Sequence, residues 1–550
     1  MLPIDSSLSP EVNDGSDLET HISAAVVAIE RALVSAGLPG VLIGITDRIR
    51  LRHVIVHGYA DLKAGVPLSE SSRLAIGSIS KSFTAIALLQ LAAEGRVDLH
   101  APITRYLPGL APSPPFEAIT AHHLITHTSG LPNYLVHTSS SRYVIAALRD
   151  FVPNYVPGAH WWYSNTGYQL LGYLLEEVEG LTYPAIIRRR ILCPLGMSST
   201  SAVIDDAQRS RMTTSYTRWP YGGAYFEAPW FEYAAGDGSL VSTVPDMCAY
   251  ARLILNRGAG PSGPLLSESA FLTLTTPVLE NYAYGLFVRH ASGTTSISHG
   301  GSIAGFHSLL EMRMENDLGL VILSSSAMDV DLRKWITDTV AAAYAGSHFP
   351  IATAQLNTLK YKAQDYAGVY LSASGNENAP SRTLEFTAAN EHLSLKEGND
   401  HRPLLRMGRD CFRLTDGDSD QLPFFFGRAG NSIDATVVEV SHGAQWYVTK
   451  AFPVEAKISA PSPDYRAYVG HFENQGPEGP VARVFVRNGQ LWVSLSEEEK
   501  PTVLEPIVDG LFRLGEEAHS PERVQFDTLM DGYALRMTLS GVPLYRKETP

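Results

Sequence analysis

The chain has 550 residues, 45% hydrophobic and 18% charged, with 57 acidic against 43 basic side chains and a net charge of −14. That length exceeds what one hydrophobic core usually serves, so about two to four globular domains are expected rather than a disordered chain. The acidic balance, without a Lys/Arg run, argues against nucleic acid as a partner, and three scattered cysteines argue against a disulfide framework or a zinc–thiolate site.

Residues 1–20, MLPIDSSLSPEVNDGSDLET, lack the basic and apolar regions of a leader and read as an extension. Apolar runs such as AIALLQLAA are too short to span a bilayer, so the expectation is a cytoplasmic chain with no membrane partner. DLETHISAAVVAIERALVSAG has helical spacing and stops at Gly37, and GVLIGITD and LRHVIVHGYADL then read as strands. A long helix is expected from about Ser78 to Glu94, with further helices at 165–179 and 245–257. Strands are expected at YGLFVRH, SISHGG, SLLEMR and GLVILSS, with His299 on an edge-forming strand. After about residue 350 long helical periodicity gives way to short alternating runs between Gly, Asn and Asp turns, an all-β texture. DYAGVY at 365–370 is echoed by YVGHF at 468–472, and FPVEAKISAPSPD lies between the two stretches as a linker. The domains expected are 21–350, then two similar β units at 364–452 and 464–548.

AIGSISKSFTA places three serines near one lysine, and Ser78 alone has Lys81 three residues on. On a helix, i and i+3 share a face, so Lys81 can approach that hydroxyl, at a helix start that favours developing negative charge. A serine attacks only when a base takes its proton, and an amine serves as that base only once burial or neighbouring positive charge has made it give up its own. An S-x-x-K alone arises by chance about once in such a chain. Two further segments give it company. Tyr163-Ser164-Asn165 precede an apolar helix, where a tyrosine could share the proton and an amide could orient the lysine, or where Tyr163 packs and Asn165 caps. SISHGGSIAGF sets His299 before Gly300 and Gly301, where backbone can approach a ligand and the next N–H can serve an oxyanion.

S-x-x-K, Y-x-N and H-x-G in that order resemble the penicillin-recognising serine hydrolases, the class of β-lactamases, D-aminopeptidases and related esterases. GRVDLHAPITRYLPGL, AHHLITHTSGLP, AAGDGSLVSTVPDMCAYARLIL and NYAYGLFV look like further blocks of that family, over roughly residues 20–345. The resemblance implies an α+β fold: an antiparallel sheet flanked by helices with a helical lobe, followed by two lipocalin-like β-barrels. It implies that Ser78 is acylated, that Lys81 and Tyr163 handle its proton, and that Asn165 holds substrate amide and lysine. The N–H groups of Ser78 and Ser302 would form the oxyanion hole. His299 would stand where many β-lactamases carry a lysine, facing a substrate carboxylate or assisting Tyr163. Histidine there is similar to the D-aminopeptidase and esterase branches, and the two β units resemble the tail of D-aminopeptidase, a family in which a loop from the tail can reach the site. The expected activity is hydrolysis of a small amide, peptide or ester without a cofactor. Acyl transfer, β-lactam cleavage and non-catalytic ligand sensing are the rivals, and an oligomer is compatible with all of them.

HLITH has H-x-x-x-H spacing at His123 and His127 but lacks a zincin's glutamate, so no metal is expected. DGDSDQLPFFFG begins like a calcium loop but has Gln421 and Gly427 where glycine and glutamate belong. The aromatic stretch 219–233 precedes a block that borders the cleft, so Trp230 and Phe231 are candidates for an apolar acyl pocket.

Overall fold

The computed structural model describes residues 15–110, 118–133, 144–148, 155–218, 225–291, 293–347, 362–372, 382–390, 392–408, 410–415, 422–430, 435–452, 465–474, 481–495 and 501–547. Most of the N-terminal extension, the linker after Phe452, residues 219–224 of the aromatic stretch and residues 416–421 of DGDSDQ lie outside them.

Seven antiparallel strands form the first sheet: β1 (Gly40–Thr46), β2 (Leu51–Asp61), β3 (Val66–Pro67), β4 (Phe287–Ala291), β5 (Thr294–Ile303), β6 (Phe306–Arg313) and β7 (Leu318–Ser324), in the order β4-β5-β6-β7-β1-β2-β3. Strands β1 and β7 are buried along their whole length because both sheet faces are covered. Val41, Ile43 and Ile45 point to a core shared with helices α1 (Gly15–Ala36) and α5 (Val330–Tyr344). Leu42 and Gly44 face the other way, toward the larger core beneath α2 (Ser80–Ala93), α3 (Asn165–Glu179) and α4 (Val244–Leu255). Gly44 is small for a reason: a Cβ there would lie 2.4 Å from Val244 Cγ1 and 2.6 Å from Cys248 Sγ. Helix α2 is apolar nearly all round and buried nearly all round.

Three local expectations change. Ser78 belongs to a 3₁₀ turn, Gly77–Ile79, that precedes α2 rather than to the helix itself. Strand β5, which carries His299, is flanked on both sides, by β4 and β6, so it is not an edge. The cap of α3 is Ser164, whose hydroxyl accepts from Gly167 N at 3.2 Å, so the Asn165 side chain is left free for another partner.

Two closed eight-stranded barrels follow, one from Gly368–Ser372 to Gln445–Val448 and one from Gly470–Glu473 to Val542–Arg546. Both interiors are filled, the first by Tyr370, Phe386, Phe412, Phe424 and Phe426, the second by residues such as Phe472, Leu491, Phe512 and Met537. The echoed segments occupy equivalent places. Tyr366 donates to Asp410 Oδ1 at 2.9 Å and Tyr468 to Asp509 Oδ1 at 3.0 Å, each tying the barrel's first turn to a later hairpin. Phe425 and Phe485 stack at 4.2 Å between the barrels, and buried Arg487 donates to the carbonyls of Phe425 and Phe426.

Candidate active site

The serines around Lys81 are sorted by their partners. Ser80 Oγ is buried and accepts from Leu240 N at 3.2 Å, and Ser82 Oγ donates to Ile79 O and accepts from Tyr250 at 2.6 Å. Ser78 Oγ, partly open to solvent, faces Lys81 Nζ at 2.9 Å. The lysine itself is fully buried and has two more acceptors, Asn165 Oδ1 at 2.6 Å and the Asp237 carbonyl at 2.9 Å. Three partners suit either protonation state. An ammonium gives one hydrogen to each, whereas a neutral amine gives two to Asn165 and Asp237 and turns its lone pair on Ser78 O–H. Asp237 is itself held by Tyr233, whose hydroxyl donates to Oδ1 at 2.6 Å.

Tyr163 brackets the lysine: its ring centroid lies 5.0 Å from Lys81 Nζ, 4.3 Å from the His127 ring and 6.3 Å from the His299 ring. On the opposite wall, β5 lies against the turn that carries Ser78. A Cβ on Gly301 would fall 2.0 Å from Ile76 O, and one on Gly77, which has φ +49°, would fall 2.8 Å from Ser302 N. Glycine at both positions lets the Ser302 backbone abut the residue before the serine. Ser302 is exposed, and its hydroxyl is 3.5 Å from His307 Nε2.

His299 is buried, with Nδ1 donating to Gly300 O at 2.5 Å and Nε2 at 3.3 Å from the Tyr282 hydroxyl. Burial first, then the charge of Lys81, pushes it down to about 3, so it is neutral near pH 7. The ring is therefore no cationic substitute for a lysine. His127 has both ring nitrogens engaged, Nδ1 by Ser164 N and Nε2 by Tyr282, and His123 Nδ1 is engaged by Thr120. Among the described residues no group of three or more His, Cys, Asp or Glu side chains is placed to hold a metal ion. Trp230 sits under Arg209 at 5.2 Å and Phe231 beside Tyr233 at 6.1 Å, while Ala228 of the same stretch abuts Gly305 at the end of β5.

The second barrel also reaches this region. Glu522, fully buried, accepts from Asn133 N at 2.6 Å, Trp162 Nε1 at 3.0 Å and Ser540 Oγ at 2.5 Å. Asn133 in turn accepts from Asn165 N at 3.0 Å, and His519 stacks on His160 at 4.2 Å. Asn133, Asp237, Tyr282 and Glu522 carry no motif of their own. Two family blocks offered a signal: AAGDGSL holds Asp237, where the group used is a backbone carbonyl, and NYAYGLFV holds Tyr282.

Residues 26–343 match the family model described as Beta-lactamase. The chain belongs to the β-lactamase family. Among curated relatives of this family member, penicillin-binding protein 4* of Bacillus subtilis is 25% identical over 375 residues, 62% of this chain and 79% of that protein. Esterase EstB of Burkholderia gladioli is 30% identical over 219 residues, 36% of this chain and 54% of that protein. A solved octameric penicillin-binding protein homologue from Pyrococcus abyssi shares the fold, with a TM-score of 0.54 at 20% identity, covering 90% of this chain and all of that one. Membership places the chain in the β-lactamase/serine-hydrolase superfamily and suggests hydrolase activity. Among the described residues no helix is long and apolar enough to cross a membrane.

Proposed function

We propose that the protein hydrolyses small amides, peptides or esters through an acyl-Ser78 intermediate, as a D-aminopeptidase-like peptidase or carboxylesterase. The observation that carries this reading is the buried Lys81 amine, 2.9 Å from Ser78 Oγ and held from behind by Asn165 and the Asp237 carbonyl. Neutral Lys81, or Tyr163 as a phenolate beside a protonated Lys81, takes the Ser78 proton as Oγ bonds to the substrate carbonyl. The N–H groups of Ser78 and Ser302 stabilise the resulting oxyanion. The same proton goes to the departing amine or alcohol as the tetrahedral adduct collapses. Water then attacks the acyl ester, passes its proton back to Ser78 and releases the acid. Trp230 and Phe231 are proposed to line the acyl side of the cleft.

A neutral His299 supports a peptidase or esterase over a β-lactamase, because no cation stands at that position to draw in a carboxylate. The likeness to an enzyme named an esterase points the same way. Acyl transfer would use the same intermediate with an alcohol or amine in place of water.

Ser78→Ala is expected to lose p-nitrophenyl ester hydrolysis by on the order of 10⁴-fold or more, while Ser80→Ala keeps most of it. Intact-mass analysis with a fluorophosphonate is expected to show one adduct, at Ser78. Equal turnover by wild type and Ser78→Ala would end this reading.

A further inference from the structure

Behind Tyr163 a run of polar groups crosses the interior from one wall of the cleft to the other. Ser164 N–H donates to His127 Nδ1 at 3.1 Å, so a neutral His127 carries its hydrogen on Nε2, which lies 3.1 Å from the Tyr282 hydroxyl. At the far end the Gly300 carbonyl can only accept, so His299 carries its hydrogen on Nδ1 and presents Nε2 as an acceptor, 3.3 Å from the same hydroxyl. Tyr282 therefore accepts from one histidine and donates to the other, and every bond in the run points one way. Tyr168, whose hydroxyl also contacts that of Tyr282, has already given its own hydrogen to Ile125 O at 2.7 Å. Placing the Tyr282 hydrogen on His299 is the arrangement that leaves no ring nitrogen unmatched. His127, Tyr282 and His299 are all buried, and burial holds both rings neutral.

The ends of this run are the informative part. Ser164 lies between Tyr163 and Asn165, and Gly300 lies two residues before Ser302. The one hydroxyl that joins the two histidines also joins the helical lobe to the sheet, at the depth of the proposed proton-handling pair.

We propose that Tyr282 is a positioning residue: by bridging a histidine on each wall, its hydroxyl sets the separation between the Tyr163–Asn165 segment and the Gly300–Ser302 backbone. The kinetic part rests on the acyl-Ser78 reading, and the hydrogen-bond pattern does not. In the full-length protein, Tyr282→Phe keeps the ring and deletes the bridge. With active molecules counted by fluorophosphonate uptake, kcat for ester hydrolysis is expected to fall about 10- to 100-fold with KM within about threefold, as for a displaced reacting group. Histidine ¹⁵N spectra of the wild type at pH 7 are expected to show His127 as the Nε2–H tautomer and His299 as the Nδ1–H tautomer. The His299 Nε2 resonance is expected to lose its hydrogen-bond shift in Tyr282→Phe. An unchanged kcat per active molecule, or a rise in KM alone, would overturn the proposal. So would the opposite tautomer of either ring in the wild type, which decides the matter even if the variant does not fold. Full activity in Ser78→Ala would instead sink the acyl-enzyme and leave the tautomers standing.

Discussion

His299 shows how a side chain's surroundings decide its chemistry. In water a histidine near ~6.5 would be partly charged at neutral pH, whereas burial and then Lys81 hold this one at about 3. Its charge cannot change between pH 5 and 8, so ester hydrolysis should show no inflection in that range that His299→Asn removes. The same depression bears on stability. Below about pH 6.5 the unfolded chain binds a proton that the folded chain refuses, so this contribution is complete above ~6.5 and is lost as pH falls toward 3. Half-buried His122 and His307, each pushed down to about 4 chiefly by desolvation, act in the same direction. The melting temperature is expected to drop steadily from pH 7 to pH 4.5, and calorimetry showing it level over that interval would contradict the assignment.

Strand β5 and the Gly77–Ile79 turn act as a pair, because their backbones touch. Gly300 and Gly301 are neighbours in sequence and different in environment. A Cβ on Gly300 meets only Ser308 O at 3.7 Å, ordinary contact, whereas one on Gly301 meets Ile76 O at 2.0 Å and Ser308 Oγ at 2.4 Å. Gly300→Ala is expected to keep activity within about tenfold of wild type. Gly301→Ala must push β5 off the serine turn, and displacement near 1 Å is expected to cost on the order of 10²-fold in kcat. Rates of the two variants that match would show that the close approach is not what aligns Ser302. The run His299-Gly300-Gly301 makes both glycines visible in the sequence. Which of them is indispensable follows from β6 and the Ile76 carbonyl, more than two hundred residues away.

At the scale of the whole molecule, the second barrel meets the cleft through the Glu522 carboxylate and through the stack of His519 on His160. Glu522 holds Asn133 N and Trp162 Nε1, Asn133 Oδ1 holds Asn165 N, and Asn165 Oδ1 holds Lys81, which gives a continuous run from the barrel to Ser78. Glu522→Ala leaves two half-buried N–H donors without that acceptor, at about 1 kcal/mol each, the lower end of the buried-donor range because water can reach them. It is expected to lower kcat at least tenfold, whereas Glu522→Gln, which retains an acceptor oxygen, should recover most of it. Equal rates for the alanine and glutamine variants would show that the barrel only rests against the β-lactamase-like part.

Local patterns in the chain were enough for the class of fold and for setting the three motifs apart as candidates. Alternation and helical spacing mark strands and helices, Ser78 and Lys81 lie one helical turn apart, and Tyr163 and Asn165 sit at a helix start. Glycine spacing marks the strand with His299, and the echo of Tyr366 in Tyr468 marks two like barrels. Tertiary structure decided the rest, because the deciding contacts join distant residues or use groups every residue has. The Asp237 carbonyl on Lys81 has no side-chain signature. Asn133, Tyr282 and Glu522 act only once folding sets them within about 3 Å of partners tens to hundreds of positions away. The neutrality of His299 comes from the walls built around it, and no stretch of sequence near residue 299 contains them.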